Sequence, residues 1–379
     1  MSMMQTEDLT EHQAVEEVVD STDRGVAEIS QFRLMARRFK KSKLSVFAVI
    51  VLGIMYFIMI FAPFFMINEA LEISAEAKNA PPSKLTFDGG LKMCRPAQVL
   101  DQETLSYEYS SNCSDKSTLV PVHLFGKGFE YKLWGFIPTD RHILAVDAPD
   151  KLYLWGADTQ GRDVYSRTVI GSRVSLTIGI VSVVVGTIVA AILGTISGYF
   201  GGAVDNIIQR IAEIIMSIPT LPLWMVLAAI LPKDLSVTTR YLLISLILVV
   251  TSWPGLARQV RAKTMSFARA DFVNAAKAAG SGTNRIILTH LMPNTISHLV
   301  VVACLGIPGT IAAETTLSFL GIGMQEPAVS WGVLLQASQD MAVINSFQWI
   351  LIPGLLVIIA VTMFQLIGDG LRDAVDPYS

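Results

Sequence analysis

Charge is scarce in this sequence. Asp, Glu, Lys and Arg make up 16% of its 379 residues, against about 25% in a soluble domain, while apolar residues reach 52%. That balance excludes an ordinary water-soluble globule and argues for a chain embedded in a bilayer. Other absences narrow the chemistry. The five histidines (His12, His123, His142, His290, His298) show no metal-ligand spacing with cysteine, so no metal centre is expected. GSGTNR, residues 280–285, is glycine-rich but lacks the Gly-Lys-Ser/Thr ending of a phosphate-binding loop, so no ATP site and no cofactor are expected. No nucleophile, base or metal set suited to catalysis stands out. There is no internal repeat and no low-complexity tract. The net charge of −3 says little about partners, because the charges are segregated along the chain, and nothing points to nucleic acid.

Long apolar runs are what the sequence has instead. Crossing about 30 Å of hydrocarbon takes roughly 20 helical residues, and six runs qualify: residues 44–66, then about 174–200, 207–231, 241–256, 292–320 and 349–368. The fourth is the shortest, and Pro254 limits where it can stop. The first outruns the roughly 7–15 apolar residues of a cleaved signal peptide and has 43 residues before it, which makes it a span. Basic residues next to the spans set orientation. Arg33, Arg37, Arg38, Lys40, Lys41 and Lys43 precede the first span without an acid, and Arg258, Arg261, Lys263, Arg269, Lys277 and Arg285 follow the fourth with only Asp271 against them. An even number of spans puts both clusters on one side. Both termini are then cytoplasmic, and residues 68–172, 232–240 and 322–347 are external.

This divides the chain into an acidic, polar tail expected to be disordered (1–30), a basic segment with the first span (31–67), an external loop (68–172), a five-helix domain (173–371) and a short cytoplasmic tail (372–379). The external loop carries aromatics and alternating runs such as TLVPVHLF, residues 118–125, and is expected to be partly β.

The cytoplasmic stretch FVNAAKAAGSGTNRIILTHLMPN, residues 272–294, is unusual between two apolar runs. Residues 272–279 are good helix formers with a small face of Ala275, Ala276, Ala278 and Ala279, and Gly280 is placed to cap them. About eight helical residues span only about 12 Å, too short to be stable alone. Ile286, Ile287 and Leu288 could anchor the far side. On these features the segment is either an ordinary interfacial loop or a knob presented to a soluble partner.

The stretch resembles the "EAA" loop of bacterial ABC-importer permeases, with Ala275, Ala276, Gly280, His290, Leu291 and Pro293 at the matching positions and Asn274 where the family has glutamate. RRFKKSKLSVFAVIVL, LWGADTQGRDVYSRTVIGSRVSLTIG, GYFGGAVDNIIQR, AAETTLSFLGIGMQEPAVSWGVLL and GDGLRDAVDP extend the resemblance from about residue 33 to the end. The family resembled is the permease of dipeptide and oligopeptide type. The resemblance implies an all-α membrane protein with six transmembrane helices in the type I ABC importer permease fold, in a bacterial inner membrane. It also implies a second homologous permease, two ABC ATPase subunits that hydrolyse ATP, a periplasmic substrate-binding protein and surrounding membrane lipid as partners. His290 would link the coupling loop to the fifth span. Relatives also import nickel, opines or oligosaccharides, so the solute stays open. A secondary transporter would show internal symmetry, which is missing.

Three further sets of residues invite a role. Asp158, Gly161, Arg162, Asp163 and Arg167 in ADTQGRDVYSR either meet the binding protein at the outer mouth or pair among themselves. Glu213, one turn from Arg210, reads as a structural pair; Glu314, among Ala312, Ala313, Thr315 and Thr316, either packs helices or lines a cavity. A charged acid at mid-bilayer costs about 2.5–3.5 kcal/mol, so each must face protein or water. Pro219, Pro222, Pro254, Pro308 and Pro353 permit bends. Cys304 reads as a packed thiol, whereas Cys94 and Cys113 lie in the external loop, where an oxidising compartment favours a bridge over two free thiols. A bridge closing about 20 residues adds on the order of 3 kcal/mol; thiol labelling of the unreduced, unfolded chain should leave Cys94 and Cys113 unmodified.

Overall fold

A computed structural model describes residues 31–95, 97–100, 107–110, 119–232 and 234–375. The expected disordered tail 1–30, the end of the chain at 376–379 and Cys113 lie outside the described residues. Helix α1 (Gln31–Phe39) leads into α2 (Lys43–Ile60), the first apolar run. After the external domain come α3 (Val164–Phe200), α4 (Gly202–Ser217), α5 (Thr220–Ala229), α6 (Val237–Phe267), the short α7 (Asp271–Ala278), α8 (Met292–Phe319), α9 (Trp331–Leu335) and α10 (Ile352–Val375). Five helices are long and apolar enough to cross a membrane, and the α4–α5 pair is a sixth crossing if it counts as one span.

The run expected over 207–231, in which Pro219 and Pro222 permitted bends, is broken: α4 and α5 meet at 88°. Proline drives the residue before it out of the helical region, and Ile218 (φ −90°, ψ 130°) and Pro219 (φ −56°, ψ 128°) are both extended. Two polar anchors fix where the broken pair begins and ends against α6. At the start of α4, Asp205 receives Arg261 of the end of α6 through two 2.5 Å hydrogen bonds. Beyond α5, the Pro232 carbonyl accepts from Arg240 in the first turn of α6 at 2.8 Å. The pair therefore begins at one end of α6 and finishes at the other.

The fourth span is also corrected. Helix α6 runs through Pro254 to Phe267, and hydroxyls of Thr251 and Ser252 donate to the carbonyls of Leu248 and Val249 beside the proline. Helix α3 begins at Val164, ten residues before the expected run. At about 1.5 Å per residue its 37 residues exceed the hydrocarbon thickness, so its first turns stand in the external domain.

Helices α3 and α6 meet along a stripe of small residues, Gly186, Ala190, Gly194 and Gly198, spaced one turn apart. Cβ atoms added at Gly194 and Gly198 would lie 2.5 Å from the Ala257 carbonyl oxygen and 2.7 Å from that of Arg261. Small residues let helices approach this closely in a bilayer. Leu52, Leu176, Ile311, Trp331 and Phe364 join α2, α3, α8, α9 and α10 into a second buried cluster.

The loop domain between α2 and α3, expected to be external, is β-rich, as its alternating runs suggested. Strands β1 (Leu85–Phe87), β2 (Leu91–Cys94), β5 (Leu119–Leu124) and β8 (Leu144–Val146) form an antiparallel sheet in the order β1-β2-β5-β8. Two hairpins accompany it, β3 (Ala97–Leu100) with β4 (Tyr107–Ser110), and β6 (Lys127–Leu133) with β7 (Ile137–Arg141). Met93, Val120, Val122 and Leu152 pack on Ile67, just past the first span. Cys94 is buried at the end of β2.

The packing stripe predicts opposite signs for two glycine substitutions. Gly255→Ala in α6 meets nothing within 4 Å and should hold or raise the thermal midpoint in detergent. Gly194→Ala should lower it, overpacking costing about 1–3 kcal/mol.

Candidate functional site

Beyond the end of α6 the chain turns at Ala270 and forms α7, one short helix with most of its surface open. Val273 is its only buried side chain, held by Ile286 and Leu291 and flanked by Tyr199, Phe267 and Ile287. Asn274, Ala275, Ala278 and Ala279 are exposed and Ala276 is half-buried. Lys277 lies 5.6 Å from the Tyr199 ring centroid, a cation–π contact that ties α7 to the end of α3. Gly280 (φ +79°) closes the helix: its N–H donates to the Lys277 carbonyl and that of Ser281 to the Ala276 carbonyl, both at 3.0 Å. That is a Schellman motif, which needs a left-handed residue at this position. A Cβ at Gly280 would meet nothing within 4 Å, so backbone conformation alone requires glycine there. The Asn274 amide reaches the Arg269 carbonyl at 3.5 Å.

A helical turn, Thr283–Arg285, and a π-helical stretch, Ile286–Leu291, connect this loop to α8. Ile286 and Leu291 are buried and Ile287 is half-buried, but Leu288 is 63% exposed and anchors nothing, a correction to the expected anchor. In the π-helix His290 is half-buried, and its carbonyl accepts from the Asn294 amide at 2.6 Å. Pro293 sits where the π-helical stretch passes into α8 and cannot donate to the preceding turn.

At the opposite end of α3 the structure draws Asp158, Arg162 and Arg167 together and adds Glu326, which the sequence analysis passed over. Asp158 accepts from Arg162 Nε at 2.8 Å and Arg167 Nη1 at 2.5 Å. Glu326 lies 2.8 Å from both guanidinium groups. Asp158, Arg162 and Arg167 are buried, so the pairing among themselves is an interior one. Because Glu326 follows α8 in sequence, the cluster binds the segment between α8 and α10 onto the start of α3. A cavity of about 430 Å³ opens beside it. Gly161 (φ +78°) turns the chain beneath the Ser74 carbonyl.

Asp163 stands apart from these pairs. It is the N-cap of α3, accepting from the backbone N–H of Tyr165 and Ser166, the Ser166 hydroxyl and the Asn68 amide. Burial pushes its carboxyl up to about 6 despite those bonds. Glu326 behaves oppositely: burial acts to raise its pKa, but hydrogen bonds and charge from Arg162 and Arg167 outweigh it and hold the group at about 2.

Glu314 of α8 is fully buried. It accepts from Ser318 Oγ at 2.8 Å and Ser175 Oγ at 3.3 Å. Both hydroxyls also receive backbone N–H groups of the next segment, Met324 on Ser318 and Trp331 on Ser175, so Glu314 sits at a packing node. Glu213 is 3.4 Å from both Arg210 and Arg258 on a more open surface. Half-buried Cys304 is a free thiol. Among the described residues no group of His, Cys, Asp or Glu has metal-site geometry.

The two shifted carboxyls predict a pH dependence with a definite sign. A raised native pKa contributes stability that is lost as pH rises through it. Between pH 7 and 5 the thermal midpoint of the unaltered chain should therefore rise relative to that of Asp163→Asn, which has no proton to gain. The Glu326 contribution, present above its ordinary 4.5, should fade only as pH drops from there toward 2.

Comparison with known proteins agrees with this architecture. Residues 174–378 match the family described as binding-protein-dependent transport system inner membrane component, and residues 30–82 match the N-terminal TM domain of oligopeptide transport permease C. The Escherichia coli K12 oligopeptide transport system permease protein OppC is 41% identical over 226 residues, 59% of this chain and 72% of that protein. OppC of Bacillus subtilis is 34% identical over 240 residues, 63% and 76%. A Brucella ovis protein named as a peptide permease is 38% identical over 250 residues, 65% and 81%. With the match to the first of these families covering more than half its length, the chain belongs to the binding-protein-dependent transport system inner membrane components, multi-pass proteins of the inner membrane.

Proposed function

We propose that this chain is a permease subunit of an ABC importer for peptides, forming half of a translocation path with a second, similar subunit. Two ATPases would dock on the two cytoplasmic loops, and an external binding protein would deliver the peptide. The observation that carries this reading is α7. It is a helix of eight residues, below the length that is stable alone, yet it is held by Val273 and by a glycine-closed C-terminus while Asn274, Ala275, Ala278 and Ala279 stay open. A helix so fastened and so bare on its small face is suited to seat in a partner.

The path from that face to the membrane is short. Val273 packs on Ile286 and Leu291, and the π-helical stretch containing them continues into α8. A pull on α7 would reach α8 through these side chains and α3 through Lys277 on Tyr199. Asn274, neutral where relatives of this type carry glutamate, would offer a hydrogen bond in place of a charge. The basic clusters beside α2 and α6 support a cytoplasmic location for both termini and α7. The OppC and peptide-permease relatives support peptides as the solute.

The test separates a seat for the ATPase from a merely structural turn. Asparagine tolerates the left-handed conformation and valine does not. Gly280→Val should leave membrane insertion normal but reduce peptide uptake severalfold and uncouple it from ATP hydrolysis, while Gly280→Asn should keep most of it. Co-purification of ATPase subunits with the unaltered chain, and their loss with Ala275→Trp, is the companion measurement; uptake unchanged in both Gly280→Val and Ala275→Trp would exclude the role.

A further inference from the structure

The external domain carries an apolar surface apart from the sites described above. Leu124, Phe125, Trp134, Phe136 and Ile137 are each between 41% and 69% exposed, and all lie in or beside β5, β6 and β7. We propose that the turn of the β6–β7 hairpin and the neighbouring β5–β6 turn form an anchor that lies in the outer-leaflet headgroup region, against membrane lipid.

Position is the first argument. Helix α2 has 18 residues, about 27 Å at 1.5 Å per residue, which matches the hydrocarbon thickness. Its start at Lys43 marks one border, and because one more apolar helical turn, Ala62–Phe65, follows, the outer border falls near residues 60–65. Phe61 follows directly, and its ring lies 5.5 Å from that of Trp134, which in turn lies 6.2 Å from Phe136. Phe64, three residues further, lies 6.1 Å from Phe125. The hairpin turn is thus level with the outer end of the span.

Continuity is the second. The open face of α2 is a stripe of Phe47, Ile50, Ile54 and Phe57, each more than half exposed, as a lipid-facing stripe must be. The Phe57 ring is 4.9 Å from Phe61, so the aromatic surface runs unbroken from the span to the hairpin. Aromatic residues, tryptophan above all, collect at this depth because one end is apolar and the other can meet water.

The third is local conformation. Trp134 (φ +53°) and Phe125 (φ +55°) occupy the left-handed region, where Asn or Gly would be favoured and a bulky residue is an outlier. A large aromatic side chain stands at both turns against backbone preference. The hairpin is also fixed in place. His142 has ring nitrogens 2.8 Å from the Met66 carbonyl and 2.9 Å from the Phe129 carbonyl, and the Ile143 N–H donates to the Phe64 carbonyl at 3.0 Å.

The test is a depth measurement on the full chain, purified with the subunits that accompany it and reconstituted in phosphatidylethanolamine–phosphatidylglycerol liposomes. A nitroxide is attached through p-acetylphenylalanine at position 134, 136 or, as control, 88, in the exposed turn holding Asp88. Accessibility to oxygen, which partitions into lipid, is compared with accessibility to a water-soluble nickel chelate. Oxygen should exceed nickel severalfold at 134 and 136, with the reverse at 88. Nickel access at 134 and 136 equal to that at 88 would overturn the proposal in favour of bulk water. Protection from both reagents would overturn it in favour of a protein partner covering the patch.

Discussion

In hydrocarbon no water is available to satisfy a polar group, so every carboxylate and guanidinium in the spans must find its partner in the protein. The helices here are joined where such groups meet. Arg240 reaches from the first turn of α6 to the carbonyls of Pro232 and Gly323. Asp205 holds Arg261 and also accepts the Ser197 hydroxyl, fastening α4, α6 and the end of α3. Glu314 ties α8 to α3 through Ser175. Between these points the contacts are small-residue packing, which brings backbones close but carries little direction. The polar joints decide which end of each helix meets which neighbour.

This division explains what could be read from the sequence and what could not. Length and apolarity alone located six runs, since crossing a bilayer is a constraint on a continuous stretch. The small exposed face of α7 and its terminating Gly280 were legible for the same reason: capping is local. What escaped were effects set by distant residues. Nothing near Asp158 or Arg167 announces Glu326, more than 150 residues later, and its place two residues after Met324 in an external segment reads as an ordinary solvated acid. Pro254 limited where the fourth run could stop because proline lacks a donor, yet buried packing at Trp253, Leu256, Ala257 and Val260 carried α6 past it. Pro219 looked equally tolerable and broke its helix, because Ile218 and Pro219 both adopt extended conformations there.

The external domain follows a different logic from the spans it interrupts. Its sheet is small, and its core of Met93, Val120, Val122 and Leu152 borrows Ile67 from the chain leaving the membrane. Its lower part is joined to the span's end by backbone bonds and the His142 ring, and its rear to α3, whose first turns rise into it. Asn68 bonds both Asp163 and the Leu152 carbonyl, so one side chain connects the end of the first span, the domain and the cap of α3. A domain held at so many points is braced against both α2 and α3.

That rigidity bears on how the two faces of the protein communicate. At the inner end α7 touches the ends of α3 and α8 through Tyr199, Ile286 and Leu291. At the outer end the segment between α8 and α10 is clasped to α3 by Arg162 and Arg167 through Glu326, and by Trp331, whose indole N–H donates to the Thr168 carbonyl at 3.0 Å. Helices α3 and α8 are therefore held together at both ends, with Glu314 between. A displacement applied to α7 cannot be absorbed by sliding one past the other without leaving buried charge unpaired, which costs several kcal/mol. The helical hydrogen bonding is interrupted elsewhere, at the 88° break between α4 and α5, by two extended residues. In this architecture α3 and α8 are fastened to each other by side-chain contacts, and no such continuous helical bonding spans the break between α4 and α5.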